Sequence, residues 1–255
     1  MNRIVKIILK DILKNKIVAV YTFLLLLLSW SAFSLEDNSA KGMLTILNII
    51  LFTVPLVCIL FTTIYVYNSS EFIELLLSQP IKRKKIWTSL FLGMACSLSL
   101  AYLIGVGIPL MIYAANGVGI MMLVMGVFIS WVFIALAFWC SITTRDKAKG
   151  IGLAIITWIF FALIFDGLVL FLLFQLSDYP IEKAMVTLTA FSPIDLARIQ
   201  ILLYLDASAM MGYTGAIFKD FFGTIYGIVV SLLLLVSWIT IPFFVSLKKF
   251  VNKDL

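Results

Sequence analysis

The sequence predicts an all-α polytopic membrane protein with six transmembrane helices. Three observations lead there: an extreme apolar composition, six long apolar runs, and basic residues confined to alternate connecting segments. Of 255 residues, 63% are hydrophobic and 13% charged, with a mean hydropathy of +1.15. Soluble domains are roughly 45–50% apolar and about 25% charged. A chain of this size has too much surface to hide that excess in a soluble core, so lipid must cover it.

A span needs about 20 mostly apolar residues. Ile17–Leu35, Leu44–Tyr67, Trp87–Ala115, Val118–Ile142, Ile151–Leu176 and Phe221–Leu247 qualify. The third contains Gly105, Gly107 and Pro109, which predict a tilt or kink. The first follows a basic segment but exceeds the ~7–15-residue apolar stretch of a signal peptide, so it reads as an uncleaved span. The chain reads as a single transmembrane domain over 1–255, with 1–16 as an interfacial helix and 177–220 as an external segment.

Lys and Arg set orientation, since they concentrate on the cytoplasmic side. The N-terminal segment, the second-to-third and fourth-to-fifth loops and the C-terminal tail hold fifteen of the nineteen basic residues, against five acidic ones. The opposite side has four basic residues (Lys41, Lys183, Arg198, Lys219) and seven acidic ones, Glu36, Asp37, Asp178, Glu182, Asp195, Asp206 and Asp220. Both termini are therefore expected in the cytoplasm. The net charge of +6 is a topological signal here and implies no nucleic-acid partner.

Residues 2–16 place Ile4, Ile8 and Ile12, with Val5, Leu9 and Leu13, at helical spacing beside a Lys6, Lys10, Lys14 row. An amphipathic helix in the cytoplasmic interface fits, apolar face in lipid, as does a plain extension of the first span. In the second-to-third loop, Ser70 can cap a short helix. Its first turn carries Glu71 and Glu74, its body is Phe72, Ile73, Leu75, Leu76 and Leu77, and Pro80 stops it. The fourth-to-fifth loop, with Arg145, Asp146, Lys147 and Lys149, is either a solvated basic loop or a second docking point for a partner. In the external segment Asp178 and Pro180 mark a turn, and Ser192-Pro193 predicts a helix start. One or two amphipathic helices on the outer surface would follow, as a partner platform or as a lid over the bundle.

The chemistry excluded is broad. Histidine is absent, which removes the commonest general base and metal ligand. No phosphate-binding G-x-x-x-x-G-K-[ST] loop occurs, so ATP has no site of that kind. No hydrolytic triad has support. The chain is expected to be no enzyme, with no catalytic residue, no metal and no bound cofactor. Cys58, Cys96 and Cys140 read as small buried hydrophobes. Met121, Met122, Met125, Met210 and Met211 read as packing rather than a Cu(I) path. Asp166 is the one carboxylate inside a span, open to cation binding, proton relay or an interhelical hydrogen bond, with no basic partner visible in the sequence.

The stretch Glu71-Phe72-Ile73-Glu74-Leu75-Leu76-Leu77-Ser78-Gln79-Pro80-Ile81-Lys82-Arg83 resembles the E-(x)-L-L-L-x-x-P-[ILV]-x-R loop of ABC-transporter membrane subunits of the second exporter class. Phe72-Ile73 stand near the place of that family's common Gly-Thr. The basic entry helix and six spans extend the likeness over nearly the whole chain. Within the class, Gly152 to Trp158 with Phe165-Asp166, and Phe191-Ser192-Pro193-Ile194-Asp195-Leu196-Ala197-Arg198, look like the permeases of nitrous oxide reductase maturation systems.

The resemblance implies a coupling helix on an ATPase, through Glu71, Phe72, Glu74, Leu75, Leu76, Pro80, Arg83, Arg145 and Asp146. It also implies a partner contact on the outer side through Pro193, Asp195 and Arg198. It further implies a homodimer in the bacterial inner membrane, two cytoplasmic ABC ATPases (NosF-like) holding ATP and Mg, and a periplasmic copper-handling protein (NosD-like) holding copper. Poor metal-ligand content suits a mechanical transmitter better than a copper channel. Two other readings compete. One is a generic ABC exporter permease moving a lipid, peptide or drug; the other is an ATP-independent secondary transporter using Asp166.

Overall fold

The structure, a computed structural model, describes residues 2–36, 38–175, 182–205, 218–219 and 221–252. Asp37, Asp178, Pro180, Asp206, Met210, Met211 and Asp220 lie outside the described residues, as does the rest of the external segment between 206 and 217.

Helices α1 (Asn2–Lys14) and α2 (Lys16–Leu35) are followed by α3 (Ser39–Asn68) and the short α4 (Ser70–Leu77). Then come α5 (Arg83–Gly105), α6 (Gly107–Tyr113), α7 (Gly117–Thr143) and α8 (Lys147–Ile159). A π-helical turn over Phe160–Ile164 leads into α9 (Phe165–Gln175). The chain ends with α10 (Glu182–Ala190), α11 (Pro193–Tyr204) and α12 (Ile225–Asn252). Among the described residues there is no strand.

Among the described residues, six helical units are long and apolar enough to cross a membrane: α2, α3, α5–α6, α7, Lys147–Leu172 and α12. They coincide with the six predicted runs, spans 1 to 6. Span 2 starts five residues earlier than its apolar run, because Asn38 caps it by accepting from Ala40 N at 3.0 Å. Its 30 residues cover about 45 Å. That exceeds the ~30 Å of hydrocarbon, and its last turns carry Asn68 toward α4. Span 3 is interrupted at Val106, between α5 and α6, where Gly105, Gly107 and Pro109 weaken the helical ladder.

Span 4 is the centre of the bundle. Every residue from Val132 to Phe138 is buried, against spans 2 and 6 above all. Spans 1, 5 and 6 instead turn much apolar surface outward, including Phe23, Ile156, Phe171, Leu233 and Phe244.

Two helices differ from their sequence readings. The Ile4, Ile8, Ile12 row of α1 was expected to face lipid; Ile8 and Ile12 pack against α5 instead. Gly93 makes room, since a Cβ there would lie 2.6 Å from Ile8 Cγ2. Only Ile7 and Leu13 remain outward. Helix α11 was expected to rest on the outer surface. It is buried at Ile194, Leu196, Ala197, Ile199, Gln200 and Ile201, wedged between spans 4, 6 and 2. Gln200 satisfies its buried amide there by donating to Ser231 Oγ at 2.8 Å.

Candidate functional site

At the end of the bundle that carries the basic loops, α3 runs directly into α4. Ser69 is both the last cap of α3 and the first cap of α4, and makes no side-chain cap bond. Ser70, expected as the cap, is the first helical residue. The helix stops at Leu77, and Ser78 closes it by donating its N–H to Glu74 O at 3.0 Å and its hydroxyl to Leu75 O at 2.9 Å. Pro80, three residues on, blocks continuation.

The eight residues of α4 divide into two faces. Ile73 and Leu76 are buried, and Phe72 and Leu77 are half-buried. Glu71, Glu74 and Leu75 are exposed, Leu75 at 66%, followed by Ser78, Gln79 and Pro80. Spacing of three and four residues gathers Glu71, Glu74, Leu75 and Ser78 on one side of the helix. Two of the expected coupling residues, Phe72 and Leu76, therefore serve as its anchor.

The 144–147 loop is pinned beside α4. Tyr67 OH donates to Thr144 O at 3.1 Å and lies 2.7 Å from Thr144 Oγ1. Lys147 Nζ donates to Asn68 Oδ1 at 2.7 Å. Gly150 admits the Tyr67 ring, which a Cβ would overlap. Arg145 is exposed and lines one cleft of about 400 Å³ with Glu74, Ser70, Tyr67, Trp87 and Phe250. Asp146 is spent on a cap, accepting from Ala148 N at 2.7 Å.

Beneath the cleft, Trp87 joins three elements. Its ring stacks on Phe250 (4.3 Å, 16°) and meets Phe138 edge-on at 4.9 Å, while Nε1 donates to Ser246 Oγ at 3.1 Å. Arg83 NH1 donates to Val251 O at 3.2 Å. The foot of span 3 is thereby tied to the end of span 6. The sequence reading missed Tyr67, Trp87, Gly150 and Phe250. An aromatic at each edge of an apolar run was the available signal.

A second polar group lies at the opposite end. Arg198 NH1 reaches Asp166 Oδ2 at 2.8 Å and Asp195 Oδ1 at 3.1 Å. Asp166, read as lacking a basic partner, has one 32 residues ahead on α11. The three side chains are 28%, 31% and 13% exposed for Asp166, Arg198 and Asp195. Ser192 caps α11, accepting from Asp195 N at 3.2 Å, and Pro193 is buried at the first turn. Burial, and then the Asp166 carboxylate, push the Asp195 carboxyl up to about 7 against the pull of Arg198. Of the expected outer contact residues, Pro193 is buried, and Asp195 and Arg198 are partly buried in this group.

Among the described residues no group of three His, Cys, Asp or Glu could hold a metal ion. Met122 and Met125 are packed in the core of span 4, and Cys58 and Cys140 are buried.

Comparison with known proteins gives a family match described as "ABC-2 family transporter protein", covering residues 10–255. The chain is 31% identical over 161 residues to "Probable ABC transporter permease protein NosY" of Stutzerimonas stutzeri, covering 58% of each chain. It is 30% identical over 173 residues to the protein of the same name from Pseudomonas aeruginosa, covering 63% of each. The matched region thus spans about three-fifths of these relatives.

Proposed function

This chain belongs to the ABC-2 family of transporter proteins, and from that premise we propose that it is the membrane subunit through which a separate cytoplasmic ATPase drives a partner on the outer side. The cargo system we propose is nitrous oxide reductase maturation, with a copper-handling protein in the periplasm, on the strength of two relatives named as NosY permeases. The alternative in the same family is an exporter that moves a lipid, peptide or drug.

One observation supports the coupling role above the others: α4 is anchored by Ile73 and Leu76 and offers Glu71, Glu74 and Leu75 outward, next to the exposed Arg145. An exposed leucine beside two carboxylates on this face supports contact with a partner. The basic loops support a cytoplasmic position for this face, in what we take to be a bacterial inner membrane. The outward apolar surfaces of spans 1, 5 and 6 are available to lipid and to a second copy of the chain. In such a homodimer, ATP binding and Mg-dependent hydrolysis in the ATPase subunits would move α4, with copper held by the periplasmic partner and not by this chain.

Co-purification from the native host tests the reading, comparing the detergent-solubilised chain with its Glu71→Lys/Leu75→Asp variant. The wild type should retain an ABC ATPase and a periplasmic copper protein, and the variant should lose the ATPase. An ATPase without the copper protein moves the function to the exporter alternative. Equal retention by both chains refutes the assignment of α4.

A further inference from the structure

The Asp166, Arg198 and Asp195 group sits where an external helix meets a membrane span. Arg198 is the only cation of α11, and it uses a single guanidinium nitrogen for two carboxylates. One of them, Asp195, is on its own helix; the other, Asp166, is on span 5. The bond to Asp166 crosses elements and the bond to Asp195 does not. Asp195 is therefore a competitor for the cation that holds α11 to span 5.

Among the described side chains, the elements around the group add no further charge to this competition. Span 4 carries no Asp, Glu, Lys or Arg. The lysines of span 6, Lys248 and Lys249, stand at its opposite end, and its Tyr226 is exposed. Span 2 contributes Lys41 as its sole charge, α10 carries Glu182 and Lys183, and α11 adds the exposed Tyr204. Among the described residues, the charged groups in contact are thus the three themselves, with net charge −1 when both carboxylates are ionised. Ala162, in the π-helical turn just before Asp166, borders a cleft of about 290 Å³ together with Asn48, Ile194 and Arg198. Packing is open at the joint, so the ion pair carries a large share of the connection.

We propose that Arg198 is a positioning residue that latches α11 to span 5 through Asp166, and that protonation of Asp195 tightens this latch. With Asp195 ionised, two carboxylates repel each other across one guanidinium. With Asp195 protonated, the repulsion ends and Arg198 serves Asp166 alone. The titration of Asp195, raised to about 7, places the change between acidic and mildly alkaline pH. The sign follows: the tightened state is fully present below the ordinary carboxylate range and is lost as pH rises through about 7. The latch deepens the transmission reading, since it would carry movement of span 5 to α11, and all three of its residues belong to this chain.

Hydrogen exchange on the full-length chain in detergent tests it without an ATPase or copper partner, so failure here leaves the permease reading intact. Protection of residues 193–204 is followed between pH 5 and pH 8, corrected for intrinsic exchange, with span 4 as internal reference. Wild-type protection should fall about fivefold from pH 5 to pH 8, the factor set by weakening one partly exposed ion pair by about 1 kcal/mol. Asp195→Asn should stay at the acidic level throughout, and Arg198→Gln should stay low throughout. A flat wild-type profile, or an Asp195→Asn profile that keeps the wild-type slope, overturns the proposal. Should Arg198→Gln fail to fold, the Asp195→Asn arm decides alone.

Discussion

Replacing Gly150 with Ala should loosen the loop beside α4, although alanine is the better helix former. Gly150 lies in the second turn of α8, and an added Cβ would overlap the hydroxyl end of Tyr67. The ring must then withdraw from Thr144, losing the 3.1 Å bond to its carbonyl and the 2.7 Å contact with its hydroxyl. At about 1 kcal/mol each, that costs about 2 kcal/mol. Displacing the half-buried ring adds up to about 2 kcal/mol of overpacking. Helix propensity returns about 1 kcal/mol, leaving a net loss of about 1–3 kcal/mol. For a chain of this size that is a fall of about 3–10 °C in Tm, measured by thermal unfolding in detergent. Gly152→Ala is the control: no atom lies within 4 Å of its Cβ, so it should raise Tm slightly. Tyr67→Phe combined with Gly150→Ala should be milder than the two changes summed, because the hydroxyl is the first atom struck. A Gly150→Ala chain as stable as Gly152→Ala would refute the reasoning.

Gly93→Leu should drive Ile8 off span 3; limited proteolysis should then cut within residues 2–14 faster than in wild type, by at least about fivefold, as a loss of about 1 kcal/mol requires. Gln200→Leu should destabilise by about 1–2 kcal/mol, because Ser231 loses its donor at 2.8 Å and the Phe222 carbonyl loses its contact at 3.5 Å. Thermal unfolding in detergent checks it, with unchanged Tm as the contrary result.

Much of this fold was legible because lipid imposes a one-dimensional rule: about 20 apolar residues make a span, whatever packs around it. The helix start at Ser192-Pro193 and the break at Gly105–Gly107 were legible because local chemistry decides both. The depth of α11 was not. Read as amphipathic, it suggested a surface helix; yet apolar residues ring nearly its whole circumference, the pattern of a buried one. The partner of Asp166 was out of reach for another reason. Arg198 is 32 residues away and its meeting with Asp166 is a tertiary fact. At α4 the sequence showed a short apolar helix between charges, and only packing tells that Leu76 is anchor and Leu75 is surface.

The π-helical turn of span 5 has a consequence for how this chain can vary. Phe165 donates its N–H to Phe160 O, five residues back rather than four. One residue is thus in excess of a regular helix. Deleting any one of Phe160–Ile164 would let the α-helix run through, shortening the span by almost nothing. Phe165 would then bond Phe160 O as the fourth residue on, so everything from Phe165 onward would keep its facing and Asp166 would stay beside Arg198. A deletion in the regular turns of α8 has no such slack: each residue there advances the azimuth by about 100°, and Asp166 would swing away from Arg198 by about that angle. Span 5 thus tolerates a change of length at its π-helical turn that it would not tolerate one turn earlier.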